Sequence, residues 1–156
     1  MPTSFKMRLK MTAAAYCACA VLAGCSRPSA PAVAPANQVA AMQVTDLVVG
    51  QGAEALSGSK VTVHYTGWLY DHARPEDKGA AFDSSRKGGA PFSFVLGQKQ
   101  VISGWDQGVT GMKVGGQRRL VIPAGLAYGE RGAGGVIPPG ATLVFDVELL
   151  GVQPPR

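Results

Sequence analysis

The chain has 156 residues, room for one domain plus an appendage, and a formal charge of +5 that is unevenly placed. Three of its fifteen Lys and Arg residues (Lys6, Arg8, Lys10) fall in the first ten positions, and all ten acidic residues lie beyond position 45. Without residues 1–24 the balance is only +2 and its longest basic runs are pairs, which excludes an electrostatic footprint for nucleic acid.

The N-terminus reads as an address. Lys6, Arg8 and Lys10 form a positive n-region, and Met11–Ala23 is an uncharged apolar stretch of thirteen residues, too short for a stable membrane span. It ends in Leu22-Ala23-Gly24-Cys25, which resembles the bacterial lipoprotein signal, in which the cysteine is lipidated after cleavage. That resemblance implies a signal peptide over 1–24, a membrane anchor at Cys25, and, with Ser26 next to it, the outer membrane, facing the periplasm or the surface. Cys17 and Cys19 would leave with the signal, so the domain beyond Cys25 holds no thiol for a disulfide, a metal site or a nucleophile. Residues 25–42 are rich in Ala, Pro and Ser, and Pro28, Pro31 and Pro35 favour extended backbone, so they read as a tether to a domain over 43–156.

Beyond the tether the period is mostly two. Val44–Val49 is a first candidate strand. Lys60–Tyr70 is the clearest, with Val61, Val63 and Tyr65 facing one way and Thr62, His64 and Thr66 the other. Asp71–Ala80, with Pro75, Gly79 and its charges, reads as an exposed loop, and Ala81-Phe82-Asp83 resumes a short apolar segment. Phe92, Phe94 and Leu96 alternate with Ser93 and Val95. Val101, Trp105 and Val109 then recur every fourth residue, with Ile102 beside them, predicting one short helix whose apolar face must lie on a sheet. Gln117–Ile122 and Thr142–Leu150 are further strands, separated by the loop Pro123–Gly140 with six glycines and three prolines. The expected fold is α+β: five to six antiparallel strands in a curved sheet wrapped around one short helix.

Candidate chemistry starts with exclusions. The two histidines, His64 on a polar strand face and His72 in a charged loop, have no Ser or Cys partner at a persuasive spacing, which argues against nucleophilic catalysis and a metal site. The glycine-rich Gly129–Gly135 runs into Pro138-Pro139, which forbid the helix a phosphate loop needs, so no nucleotide cofactor is expected. What remains is aromatic. Tyr65, Phe82, Phe92, Phe94, Trp105, Tyr128 and Phe145 come from nearly every element, and two readings fit them: a plain core, or a binding cleft. Asp83 directly after Phe82 is expensive in a core unless it is paired or has a task, and Tyr128 in a glycine-rich loop is a poor packing residue.

At these residues the chain resembles the FKBP-type peptidyl-prolyl cis-trans isomerases. The matching segments are Val63-His64-Tyr65-Thr66-Gly67, Phe82-Asp83-Ser84-Ser85, Pro91-Phe92-Ser93-Phe94, Leu96-Gly97, Val101-Ile102-Ser103-Gly104-Trp105, Ala127-Tyr128-Gly129, Ile137-Pro138-Pro139 and Thr142–Leu150, in the family's order. The resemblance implies an FKBP-like half-barrel, isomerisation of Xaa-Pro bonds in proline-containing polypeptides without metal or cofactor, and binding of the family's macrolide inhibitors. It implies catalytic positions at Tyr65, Phe82, Asp83, Trp105, Tyr128 and Phe145, and substrate contacts at Phe92, Val101, Ile102 and Ile137. Trp105 would floor the prolyl ring, Tyr128 and the Ile102 amide would donate hydrogen bonds, and Asp83 would be a buried acceptor. Gly88 stands where many members carry a basic brace for that aspartate, leaving Arg86 or Lys87 as substitutes. The chain lacks the long helical N-terminal region of dimeric members, which implies a monomer that assists folding of envelope or secreted proteins.

Overall fold

The computed structural model describes residues 37–155. The signal region, Cys25 and the first part of the tether lie outside the described residues. Six strands form one antiparallel sheet: β1 (Gln43–Val48), β2 (Lys60–Tyr70), β3 (Lys78–Ser84), β4 (Phe92–Val95), β5 (Gln117–Ile122) and β6 (Leu143–Gln153). The order is β1-β5-β6-β2, and beyond β2 the edge is shared. Lys60–Val63 pair with β4, whereas Thr66–Tyr70 pair with β3, so one long strand carries two short partners end to end. β2 and β6 pair along almost their full length, with His64 opposite Glu148 and Gly67 opposite Phe145.

The alternation seen in the sequence sorts the two faces. Val61 and Val63 of β2, Leu120 and Ile122 of β5, and Leu143, Phe145, Val147 and Leu149 of β6 are all buried in one cluster. Burial of such side chains contributes roughly 1.5–3 kcal/mol each, before the chain-entropy cost, so this cluster dominates the fold's stability. The opposite face carries the buried pair Val121 and Val144 together with a charge network. There Asp146 receives Arg119 Nε at 2.7 Å and Lys78 Nζ at 2.7 Å, tying β5, β6 and β3 together across the sheet.

Helix α2 (Ser103–Val109) lies against β5 on the apolar face. Its buried residues are Gly104, Trp105, Gly108 and Val109, which differs from the expected stripe in an instructive way. Val101 and Ile102 precede the helix; Ile102 is its N-cap residue, with extended backbone at φ −60°, ψ 148°. Trp105 and Val109 are buried as expected, Trp105 against Tyr65, Phe94 and Phe145 of the sheet, and a glycine pair four apart lies beside them against β5. A Cβ on Gly104 would sit 2.4 Å from Ile122 Cγ2, and one on Gly108 would sit 2.6 Å from Leu120 Cδ2. Absent side chains at these two positions let the helix backbone press directly onto β5, while Trp105 and Val109 enter the core.

Two further boundaries moved. Lys78–Ala80, expected in the exposed loop, belong to β3, because Tyr70 pairs with Lys78 and the ladder overrides the local composition. A second helix of one turn, α1 (Ser85–Gly88), follows β3 and ends on Gly89 in the left-handed region at φ 71°. The tether also reaches the domain before residue 43: Met42 packs against the core, and residues 37–39 hydrogen-bond to it.

Candidate active site

At one end of α2 the sheet leaves a cavity of about 180 Å³. Small-molecule clefts commonly measure ~300–1,000 Å³, so this one suits a single side chain, or one ring of a larger ligand. Trp105, buried to 4% exposure, packs in it edge-on against Tyr65 at 4.9 Å and Phe145 at 5.3 Å between ring centroids. Phe82 meets Phe145 edge-on at 5.6 Å, and Phe92 meets Tyr65 at 6.1 Å. Such edge-to-face pairs contribute about 0.5–1.5 kcal/mol each beyond area burial and hold the rings in place. Gly67 makes the arrangement possible: a Cβ there would lie 2.7 Å from both the Phe82 and Phe145 rings.

Polar groups sit at the rim. The Tyr65 hydroxyl donates to Asp83 Oδ2 at 2.5 Å, and the Ser84 backbone N–H donates to Asp83 Oδ1 at 2.8 Å. Burial first, then the Asp83 hydrogen bond and charge, push the Tyr65 phenol well above the ordinary tyrosine range. Tyr65 therefore stays protonated and remains a donor. Its backbone is clamped as well, because Ser85 Oγ accepts from Tyr65 N at 2.9 Å and lies 3.3 Å from Tyr65 O. Tyr128 enters from the long loop and is 41% exposed, leaving its side chain open to a visiting group.

Nine of the ten predicted pocket residues line this cavity: Tyr65, Phe82, Asp83, Phe92, Val101, Ile102, Trp105, Tyr128 and Phe145. Ile137 does not. It is 6% exposed and belongs to the core cluster, because the bridge between Ala133 and Ile137 folds the loop back on itself. Gln100 lines the cavity in its place and was missed; its Oε1 accepts from Val95 N at 3.0 Å. Nothing in its sequence position distinguishes it from a surface glutamine.

Asp83 needs correcting too. It is exposed rather than buried, since it stands on an edge strand, so no desolvation cost has to be offset. Neither suggested basic residue braces it through a salt bridge: Arg86 pairs with Glu148, and Tyr65 supplies the brace. His64 does have a serine partner, with Nδ1 3.0 Å from Ser85 Oγ, a contact that the strand pairing creates and sequence spacing hides. That hydroxyl is committed to the Tyr65 backbone and is not a free nucleophile. Among the described residues no group of three or more His, Cys, Asp or Glu side chains is arranged to hold a metal. Among the described residues one buried side-chain donor, Trp105 Nε1, has no hydrogen-bond partner, which costs about 1–3 kcal/mol.

The chain is similar to known proteins along most of the described residues. Residues 52–150 match the sequence profile of the FKBP-type peptidyl-prolyl cis-trans isomerases. An FK506-binding protein of Neisseria meningitidis serogroup A is 54% identical over 109 residues, covering 70% of this chain and 94% of that protein. The peptidyl-prolyl cis-trans isomerase FPR2 of Saccharomyces cerevisiae is 57% identical over 100 residues, covering 64% of this chain and 70% of the yeast protein. Among solved structures, AtFKBP13 superposes with a TM-score of 0.63 at 40% identity, covering 76% of this chain and 98% of its own. FkpA from Escherichia coli also gives 0.63, at 43% identity over 74% of this chain, but this chain spans only 49% of FkpA.

Proposed function

This chain belongs to the FKBP-type peptidyl-prolyl cis-trans isomerases, and from that membership we propose that the aromatic cavity is where it turns the Xaa-Pro bond. The observation that carries this reading is the convergence of Tyr65, Phe82, Phe92, Trp105 and Phe145 on a hollow sized for one side chain. Rotation about an Xaa-Pro bond makes and breaks no covalent bond, and its barrier is ~18–20 kcal/mol. Uncatalysed it takes tens of seconds, so turnover of roughly 10–10³ per second needs about 3–7 kcal/mol off the barrier. That demand is modest and requires no acid, base or nucleophile.

A planar amide is strongly polarised, and twisting it by ninety degrees removes the resonance that polarises it. An apolar ring-lined cavity therefore disfavours the planar ground state relative to the twisted one, compared with water. In this reading Trp105 floors the prolyl ring, while Phe82 and Phe145 exclude water from it. Tyr128 and the Ile102 amide position the flanking carbonyls, and Asp83, fixed by Tyr65, orients the rim. Phe92 and Val101 contact the substrate chain.

We extend the proposal to location. The signal-like residues 1–24 and Cys25 support a lipid-anchored folding assistant of the cell envelope, placed at the outer membrane. Isomerisation of an Xaa-Pro tetrapeptide by the full-length chain tests the site. Phe82→Ala should lower kcat/KM at least tenfold, about 1.4 kcal/mol, and a family macrolide should compete with the peptide. Wild-type activity in Phe82→Ala would place the chemistry elsewhere. Incorporation of labelled palmitate that disappears in Cys25→Ala tests the anchor; equal labelling of both would sink it.

A further inference from the structure

The residues directly before β1 are built into the domain in a way that reaches the cavity. Three consecutive side chains or backbone groups bind three separate places. Asn37 Oδ1 accepts from His72 N at 3.3 Å, beyond the end of β2. Gln38 Nε2 donates to Gly140 O at 3.2 Å, and Val39 N donates to Thr142 Oγ1 at 3.3 Å, just before β6. Thr142 is itself 2% exposed, and its carbonyl accepts from Tyr70 N at 2.9 Å, so the strap is moored to a rigid corner where β2 meets β6.

From that corner a short hydrogen-bonded path leads to the cavity. Gly140 N donates to Gly129 O at 3.0 Å, and Gly129 directly follows Tyr128, which lines the cavity. Both glycines have positive φ, 70° at Gly140 and 58° at Gly129, where a residue with a side chain would be strained. Gly140 is thus held on its two polar faces, by Gln38 through its carbonyl and by Gly129 through its N–H. Residues 37–39 lie outside the stretch 52–150 that the family profile covers.

We propose that Asn37–Val39 form a strap that sets the cavity's affinity for substrate by fixing, through Gly140 and Gly129, the loop presenting Tyr128. Gln38 is a positioning residue here; it touches neither substrate nor the reacting bond. The inference rests on the reading of Tyr128 as a residue that contacts substrate. A held loop loses less freedom when substrate arrives, so the strap acts on binding and leaves the rotation step alone.

The test uses the full-length chain with Gln38→Ala, an exposed position whose change leaves the core intact. KM for an Xaa-Pro tetrapeptide should rise about threefold with kcat within a factor of about two, as for loss of one modest hydrogen bond. In a Tyr128→Ala background the same substitution should add nothing to KM, because both changes act on one loop. Exchange of the Gly140 amide hydrogen should also quicken in Gln38→Ala. An unchanged KM, or a rise that persists fully in the Tyr128→Ala background, overturns the proposal. If Tyr128→Ala itself matches wild type, the role given to Tyr128 fails; the mooring of the loop is then decided by the Gly140 amide alone, and unchanged exchange overturns that as well.

Discussion

Tyr65 does three things at once: it walls the cavity, holds Asp83, and is itself held at its backbone by Ser85. The raised phenol pKa means this donor persists through and beyond the pH range in which an ordinary tyrosine, at ~10, begins to ionise. Tyr65→Phe keeps the ring and removes only the hydroxyl, leaving Asp83 with the Ser84 amide as its remaining donor. We expect kcat/KM to fall about tenfold, with the unfolding midpoint nearly unchanged because the bond lies at an exposed rim. Stopped-flow isomerisation beside thermal melting checks both halves, and a lowered melting point with unaltered kcat/KM would make the hydroxyl structural only. In the sequence Asp83 was conspicuous for its place beside Phe82, but the partner eighteen residues upstream became visible only when β2 and β3 paired.

At the scale of elements, α2 is the piece whose fit decides the site. Its glycine face is what brings Trp105 down among Tyr65, Phe94 and Phe145. Replacing Gly by Ala within a helix ordinarily gains about 1 kcal/mol of propensity. At Gly104 the new methyl would meet the stiff, β-branched Ile122 at 2.4 Å, and overpacking of that kind costs about 1–3 kcal/mol. The clash wins, so Gly104→Ala should unfold at lower denaturant with an unchanged m-value, and its Trp105 fluorescence should shift as the floor is displaced. A stabilised variant would mean the helix sits further from β5 than described here. Helical spacing correctly located this element and its buried Trp105 and Val109, yet Gly104 and Gly108, which also meet β5, have no side chain and a search for apolar periodicity is blind to them.

Across the whole molecule, one face of the sheet carries a charge network and the other carries the core. Asp146 on β6 receives Arg119 from β5 and Lys78 from β3, and Glu76 binds the same two cations from the loop before β3. Burial alone would raise the Asp146 carboxyl, but hydrogen bonds and charge from Arg119 and Lys78 outweigh it and hold it below the usual carboxylate range. Glu76 is lowered as well, first by its hydrogen bond with Lys78. A lowered folded value means the stabilisation is complete above the unfolded pKa and is lost as pH falls through the folded one. Asp146→Asn should therefore cost about 1–3 kcal/mol at neutral pH, between the values for exposed and fully buried pairs. The gap between its melting temperature and that of wild type should close as pH drops below about 4. A gap of constant size from neutral to acid pH would show that Asp146 acts by packing.

Most of the strands, the α+β class and the set of aromatic side chains were legible from alternation of period two within each segment, and the family from the order of its motifs. Which of those side chains meet was set by pairing between distant segments. The Ala133–Ile137 bridge withdrew Ile137 into the core, β3 left Asp83 on an exposed edge, and the turn before α2 brought Gln100 to the rim. Each of these depends on strand register and loop closure between residues far apart in the chain, where a shift of one position reverses the face a side chain takes.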